Sequence, residues 1–272
     1  MNLSMYTGDA TAQNFPTYVD AFRHFYEKGV RYGDIVDNAL SHIPLHLYCS
    51  ILREAGIIPE ALVSMLNMAS FSETERERNI ANIKGYIDQM EKLDVGMIML
   101  APEVVPAGNE EEFKRMQSLL IEGFQKVVDY SKGSGIAITI ENQSTLQRAD
   151  SKMKDIRYIL DCVPELGFVL DTGNFFCIRE DLLEAYELLK DRMVHMHCKD
   201  WTFNPYGHFV RENLPRFEGV TVGEGVLPLK ELFTLLHKDG YNGNGVLEIN
   251  AWNVSLDMLD RSADFLKSQM QL

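Results

Sequence analysis

The sequence predicts an α/β fold, a single (β/α)8 barrel domain over residues 1–272, on three observations. Short apolar runs alternate with amphipathic helical stretches about eight times, with no Pro/Ser-rich linker or break in composition. Four of the later runs end in a carboxylate or a histidine. The chain length of 272 residues lies near the ~250 typical of such barrels. A doubly wound open sheet shares the alternation. Closure fits better, because groups at the ends of strands five to eight can converge at a barrel's C-terminal mouth.

Leu3–Thr7 reads as the first strand, and Asn14 with Pro16 opens a helix to about Lys28. Asp34-Ile35-Val36, after Gly29 and Gly33, is a short second strand. Pro44 suits the first turn of a helix that ends at Gly56. The apolar run from Ile57 to Leu66, closing on Asn67, fits either a helix or a strand. Ser72 supplies an N-cap with Glu75 in capping-box register, and Ile80, Ile83, Ile87, Met90 and Leu93 continue at helical spacing. Val95–Leu100 is the fourth strand, closed by Ala101-Pro102-Glu103. Phe113, Met116, Leu120, Phe124 and Val127 form one stripe of a helix over Glu110–Tyr130, which Gly133 and Gly135 end. The fifth strand, Ile136–Ile140, runs into Glu141. Helices over Lys152–Cys162, Asp181–Lys190 and Leu227–Lys238 then alternate with strands that end at Asp171, His197 and Glu248. A long loop, Trp201–Thr221, interrupts the rhythm, and Ser255 caps a last helix to about Met270.

Charge and composition narrow the partners. The hydrophobic fraction is 46%, and net charge is −14, from 40 acidic and 26 basic residues. That balance repels polyanions and argues against nucleic-acid binding. No apolar run approaches the ~18 residues needed to span a bilayer, so no membrane partner is expected. The N-terminus lacks a basic segment followed by an apolar one, which favours the cytoplasm. The four cysteines, Cys49, Cys162, Cys177 and Cys198, form no CxxC pair and read as free thiols.

The chemistry concentrates at strand ends. Glu141 in Ile140-Glu141-Asn142-Gln143, taken alone, is equally a strand dissolving into a loop, and Asp171 in Asp171-Thr172-Gly173-Asn174 is equally a helix cap. His195 and His197, two apart on one strand, share a face; one can be a ligand and the other a substrate or outer-shell group. Glu248 closes Val246-Leu247, and a buried glutamate needs a partner or a metal. Four strand ends supplying Glu, Asp, His and Glu point to one divalent metal ion. Such a hard set suits Mn²⁺, Mg²⁺ or Co²⁺, with Zn²⁺ also open. Cys198 alternates away from the His197 face and is not counted.

These residues resemble the xylose isomerase-like TIM barrel superfamily, the sugar phosphate isomerase/epimerase group that includes tagatose and psicose 3-epimerases. The resemblance is carried by Glu141-Asn142, Asp171-Thr172-Gly173-Asn174, His195-Met196-His197-Cys198-Lys199-Asp200, Gly223-Glu224-Gly225 followed by Leu227–Leu236, Gly240-Tyr241-Asn242-Gly243 and Leu247-Glu248. It covers the second half of the chain by motif and the first half by rhythm. It implies that Glu141, Asp171, His197 and Glu248 hold the metal, and that Glu141 and Glu248 also shuttle a proton beside a sugar carbonyl. Many relatives carry a histidine where this chain has Asn174, a substrate-contacting position. Lys199-Asp200 is closer to the inositol-pathway isomerases and dehydratases. Lys199 then orients a substrate oxygen or a leaving hydroxyl, or else is a surface lysine paired with Asp200. Asn174, His195 and Lys199 are the expected substrate-binding residues, and the aromatics, Arg211 and Arg216 of the long loop are suited to covering a polar sugar.

The expected activity is that of a divalent-metal-dependent isomerase or epimerase acting on a small sugar, sugar phosphate or keto-polyol, by proton abstraction next to a metal-bound carbonyl. A lyase or dehydratase of the same superfamily is the alternative, through inosose dehydration or C-glycoside cleavage, the latter requiring a small β-rich partner subunit. An apurinic endonuclease is disfavoured by the −14 charge, by Asn174 and by a total of seven histidines. A non-catalytic sugar-binding barrel has no need of paired carboxylates. The outer helices of such a barrel leave room for a homo-oligomer.

Overall fold

Alternating apolar side chains, one set facing inward and one outward, let a short strand be buried on both faces. The computed structural model describes residues 1–11, 13, 15–102, 106–211 and 214–271, so Asn14 and Glu103 lie outside the described residues. Among those residues eight parallel strands close into a barrel: β1 (Asn2–Tyr6), β2 (Tyr32–Val36), β3 (Ile58–Ser64), β4 (Met97–Leu100), β5 (Ala137–Glu141), β6 (Gly167–Asp171), β7 (Met193–Cys198) and, late in the chain, Asn244–Leu247. Each strand pairs with its neighbour in sequence, and Asn244–Leu247 lies between β7 and β1, closing the ring. The ambiguous run at 57–66 is therefore a strand.

Outward residues such as Met5, Ile35, Leu62, Ile98, Ile138, Leu170, Met196, Cys198 and Leu247 meet the inner faces of the helices in one continuous core. Those helices are α1 (Thr7–Thr11), α2 (Tyr18–Glu27), α3 (Leu45–Glu54), α4 (Glu73–Leu93), α5 (Glu110–Ser131), α6 (Met153–Cys162), α7 (Asn174–Cys177) and α8 (Leu182–Leu189). Two more follow β7, namely α9 (Leu229–Lys238) and α10 (Leu256–Met270). Inside the barrel, Val63, Met99 and Val169 pack together under Tyr6. This small apolar layer fills the interior below the site.

Helix starts follow local chemistry. Thr17, Asn109, Asp181 and Ser255 each accept a backbone N–H of the first turn. Ser72 caps α4 by accepting from Glu75 N, but the Glu75 carboxylate turns to the Ser70 hydroxyl at 2.6 Å, so the expected capping box is half made. Pro44 stands at the N-cap of α3 rather than in its first turn.

The segment expected as a long loop contains an antiparallel hairpin, β8 (Trp201–Phe203) and β9 (Phe217–Gly219); Asn244–Leu247 is accordingly β10. Trp201, Phe209 and Phe217 form its own aromatic cluster against Phe176. Among the described residues no helix is long and apolar enough to cross a membrane.

Candidate metal centre

Strand registers bring the four expected donors to one level. Asp171 of β6 lies beside His197 of β7, and Val246 of β10 pairs with His197, which sets Glu248 two residues further along. Glu141 closes β5 next to Val169 of β6. One ligand-capable atom from each of Glu141, Asp171, His197 and Glu248 lies within 4.8 Å of the others. His197 Nδ1 is 2.8 Å from Glu248 Oε2 and 3.1 Å from Glu141 Oε1.

Lys199 completes this level from the same face of β7. It is buried, and its Nζ lies 2.7 Å from Asp171 Oδ2 and 2.9 Å from Glu248 Oε1. The surface-lysine alternative is corrected by this geometry. Asp200 turns the other way: Oδ1 accepts from Trp201 N and Leu227 N, and Oδ2 from Gly223 N and Gly225 N. Strand alternation separates the neighbours.

The other expected contact residues sit at the edge or below. Asn174 donates its side-chain amide to Asn142 O at 2.9 Å, and its own N–H reaches Asp171 Oδ1 at 3.0 Å. It braces β5 against β6. His195 is buried two residues toward the barrel's N-terminal end, donating from Nε2 to Asp34 Oδ2 at 2.9 Å. Arg216 donates to Gly207 O, and Arg211 to Ser144 O and Val210 O. The two arginines thus hold the hairpin's backbone.

Three groups escaped the sequence reading. Asp34 lies mid-strand in β2, fully buried, and its Oδ2 also accepts from His197 Nε2 at 3.0 Å. Its signal was a carboxylate flanked by apolar strand residues. Asp9 of α1 accepts from Ile249 N at 2.8 Å. Burial pushes its carboxyl up to about 8, and nearby Glu248 adds to the rise. Tyr6 sets its ring edge-on to His197, with centroids 6.1 Å apart.

Negative charge dominates the level. Burial pushes the Asp171 carboxyl up to about 7; Lys199 pulls it down, while Glu141 and Glu248 push it further up. Burial opposes ionisation of Glu248 too, but Lys199 and His197 outweigh it and hold that carboxyl down at about 2. Burial disfavours the Lys199 ammonium, yet Asp171, Glu248 and Glu141 hold its pKa well above the ordinary value. His197 likewise rises against its burial, through Asp34, Glu141 and Glu248. Glu141 Oε1 and Asp171 Oδ2 are buried without a well-aligned hydrogen bond; their close contacts are the ion-pair approaches of His197 and Lys199. Three carboxylates and an imidazole with two such oxygens fit a hard divalent cation. A cleft of about 810 Å³ lies elsewhere, between the loops after β3 and β4, lined by Asn67, Arg78 and Met116 among others. It touches none of the four donors, and the chemistry belongs to the barrel mouth.

Residues 27–269 match the family profile described as xylose isomerase-like TIM barrel. The chain is 22% identical over 197 residues to fructoselysine 3-epimerase of Shigella flexneri, covering 71% of this chain and 67% of that protein. It is 26% identical over 148 residues to inosose dehydratase of Clostridium perfringens strain 13, covering 52% of this chain and 48% of the dehydratase, so the match spans about half of that relative. Among solved structures, D-psicose 3-epimerase of Clostridium cellulolyticum H10 superposes with a TM-score of 0.78 at 16% identity, covering 100% and 99% of the two chains. The IOLI protein with a binding zinc atom gives 0.77 at 16%, covering 99% and 96%. At these identities the structural matches speak for the fold.

Proposed function

The chain belongs to the xylose isomerase-like TIM barrel family, and from that premise we propose that it is a divalent-metal-dependent isomerase or epimerase of a small sugar or keto-polyol. The carrying observation is the convergence of Glu141, Asp171, His197 and Glu248 at four neighbouring strand ends, with ligand-capable atoms within 4.8 Å of one another. These four side chains would hold the ion. When bound, a divalent ion supplies Lewis acidity, polarising a substrate carbonyl and offsetting the negative charge that develops on its oxygen.

The protein's own groups do the rest. One of the two glutamates takes the proton from the carbon beside the carbonyl, and a proton returns to the same or the adjacent carbon. Return to the opposite face of the same carbon inverts it; return to the former carbonyl carbon moves the carbonyl by one position. Lys199 Nζ, 2.7 Å from Asp171 and 2.9 Å from Glu248, would hold a substrate hydroxyl or carbonyl oxygen near the carboxylates. The hairpin β8–β9 and the segment between its strands are tied to the turns after β6 and β5 by Trp201 Nε1 to Gly173 O and Arg211 Nε to Ser144 O.

A dehydratase is the second reading, and buried Lys199 is what favours it. An ammonium within reach of the same carboxylates can hold and protonate a leaving hydroxyl after the shared deprotonation. Inosose dehydratases are among the relatives.

Elemental analysis of the purified protein tests both readings at their root. We expect about one equivalent of Mn, Co, Mg or Zn in the wild type and its loss in His197→Ala. Glu248→Gln should lower turnover by about 10²–10⁴-fold, the usual range for a lost acid or base. Ketoses and inososes incubated in D2O with the loaded protein then separate the reactions: deuterium at carbon with the formula otherwise kept marks isomerisation or epimerisation, and loss of water marks dehydration. A wild type that takes up no ion on dialysis against Mn²⁺ and exchanges no substrate hydrogen ends the proposal.

A further inference from the structure

We propose that Asp34 is a positioning residue of the centre: by accepting a hydrogen bond from His197 Nε2, it turns His197 Nδ1 toward a divalent ion held with Glu141, Asp171 and Glu248. The inference rests on the metal reading given above. It adds a residue to which neither the sequence motifs nor the four-donor cluster assigns a role.

Asp34 Oδ2 lies 3.0 Å from His197 Nε2 and 2.9 Å from His195 Nε2. An ionised carboxylate can only accept, so both rings present Nε2–H to it. Without an ion Nδ1–H donates to the glutamates; an ion bound there takes the place of that proton and leaves a neutral imidazole whose one N–H is on Nε2. His197 Nδ1 faces Glu248 Oε2 at 2.8 Å and Glu141 Oε1 at 3.1 Å, on the side where the four donors meet. Metal-bound histidines commonly pass their second N–H to a carboxylate, which fixes the tautomer and raises ligand basicity. Asp34 stands where that arrangement needs it.

The surrounding barrel is shaped to hold it. The β2–β3 register shifts between Gly33 and Asp34, leaving Glu60 as the extra residue of β3, and the β6–β7 register shifts just before His195. Such bulges re-aim side chains, and Pro59 sits at the first of them, a position that tolerates a missing N–H. His195 bonds the same oxygen from below and faces Glu60 Oε1 at 3.9 Å through Nδ1, which restrains the carboxylate from swinging away from His197. Packing alone would not call for a carboxylate at this depth, because Val63, Met99 and Val169 fill the same interior with apolar groups.

The test loads the full-length protein with ¹¹³Cd²⁺ and labels its histidines with ¹⁵N. We expect coupling between cadmium and His197 Nδ1, together with a protected Nε2–H resonance. Coupling to Nε2 overturns the proposal with no variant needed. Asp34→Asn and Asp34→Ala are then compared with wild type by competition titration for Mn²⁺ and Zn²⁺, with folding checked by circular dichroism. A folded variant that binds about 10–100-fold more weakly supports the positioning role; a folded variant that binds within twofold of wild type refutes it. Failure of the wild type to bind any of these ions sinks the metal reading itself, an outcome distinct from equal binding by wild type and variant.

Discussion

Lys199 separates two carboxylates that would otherwise face each other across a buried gap, with its ammonium 2.7 Å from Asp171 and 2.9 Å from Glu248. Removing one partner of a buried ionic cluster leaves uncompensated charge and typically costs about 3–5 kcal/mol. Lys199→Met should therefore destabilise the metal-free protein by about that amount, and saturating Mn²⁺ should restore much of the loss, because the ion neutralises the same carboxylates. Thermal unfolding with and without Mn²⁺ checks this; equal destabilisation in both states would mean the lysine, rather than a cation, is what those carboxylates need. The residue was half legible. The period-two rule that puts His195 and His197 on one face puts Lys199 there too, yet its sequence neighbour Asp200 suggested a surface pair. Asp34 was less legible still, because it stands in mid-strand, away from the strand ends that carry the other carboxylates.

Elements start where a short polar side chain can take the first free N–H groups. Asp181 Oδ1 accepts from both Leu183 N and Glu184 N at the start of α8, and Asn109 Oδ1 from Glu112 N at the start of α5. Asp181→Ala and Asn109→Ala should each lower stability by about 1 kcal/mol, readable as a shift of the urea midpoint without change in slope. Asp200 does larger work between elements, since its two oxygens take four backbone N–H groups from Trp201, Gly223, Gly225 and Leu227. A Cβ on Gly225 would meet Asp200 Oδ1 at 2.1 Å, so the turn closes only around glycine. Asp200→Ala strands those donors, and we expect a loss of about 3 kcal/mol with faster proteolysis within residues 201–227. An unchanged cleavage pattern would remove Asp200 from that role. Long helices and carboxylate-tipped strands could be read from periodicity. The hairpin, α1 and α7 could not, because elements of three to five residues carry too few periods and take their form from tertiary contacts.

At the scale of the molecule, the second half was read from its side chains and the first half from rhythm alone; the barrel ring confirms both. The ring also sorts the four thiols, which are free. Cys49, Cys177 and Cys198 are buried, and burial pushes all three thiols up, Cys177 to about 12, whereas Cys162 is exposed. A thiol reagent at neutral pH should modify one cysteine rapidly in the native protein and four after denaturation, and Cys162→Ser should abolish the fast phase. Two or more fast thiols in the native state would contradict the packing of the barrel's outer layer. The hairpin β8–β9 has a different relation to the whole. It carries its own aromatic nucleus in Trp201, Phe209 and Phe217, and among the described residues it is anchored by Asp200, the indole bond to Gly173, the Arg211 bond to Ser144, Phe176 against Phe203 and Phe217, and His208 stacked on Trp252. Because the eight barrel strands pair without it, grafting another hairpin between the same anchors should alter what a ligand meets at the entrance while the eight-stranded chassis beneath keeps its alignment.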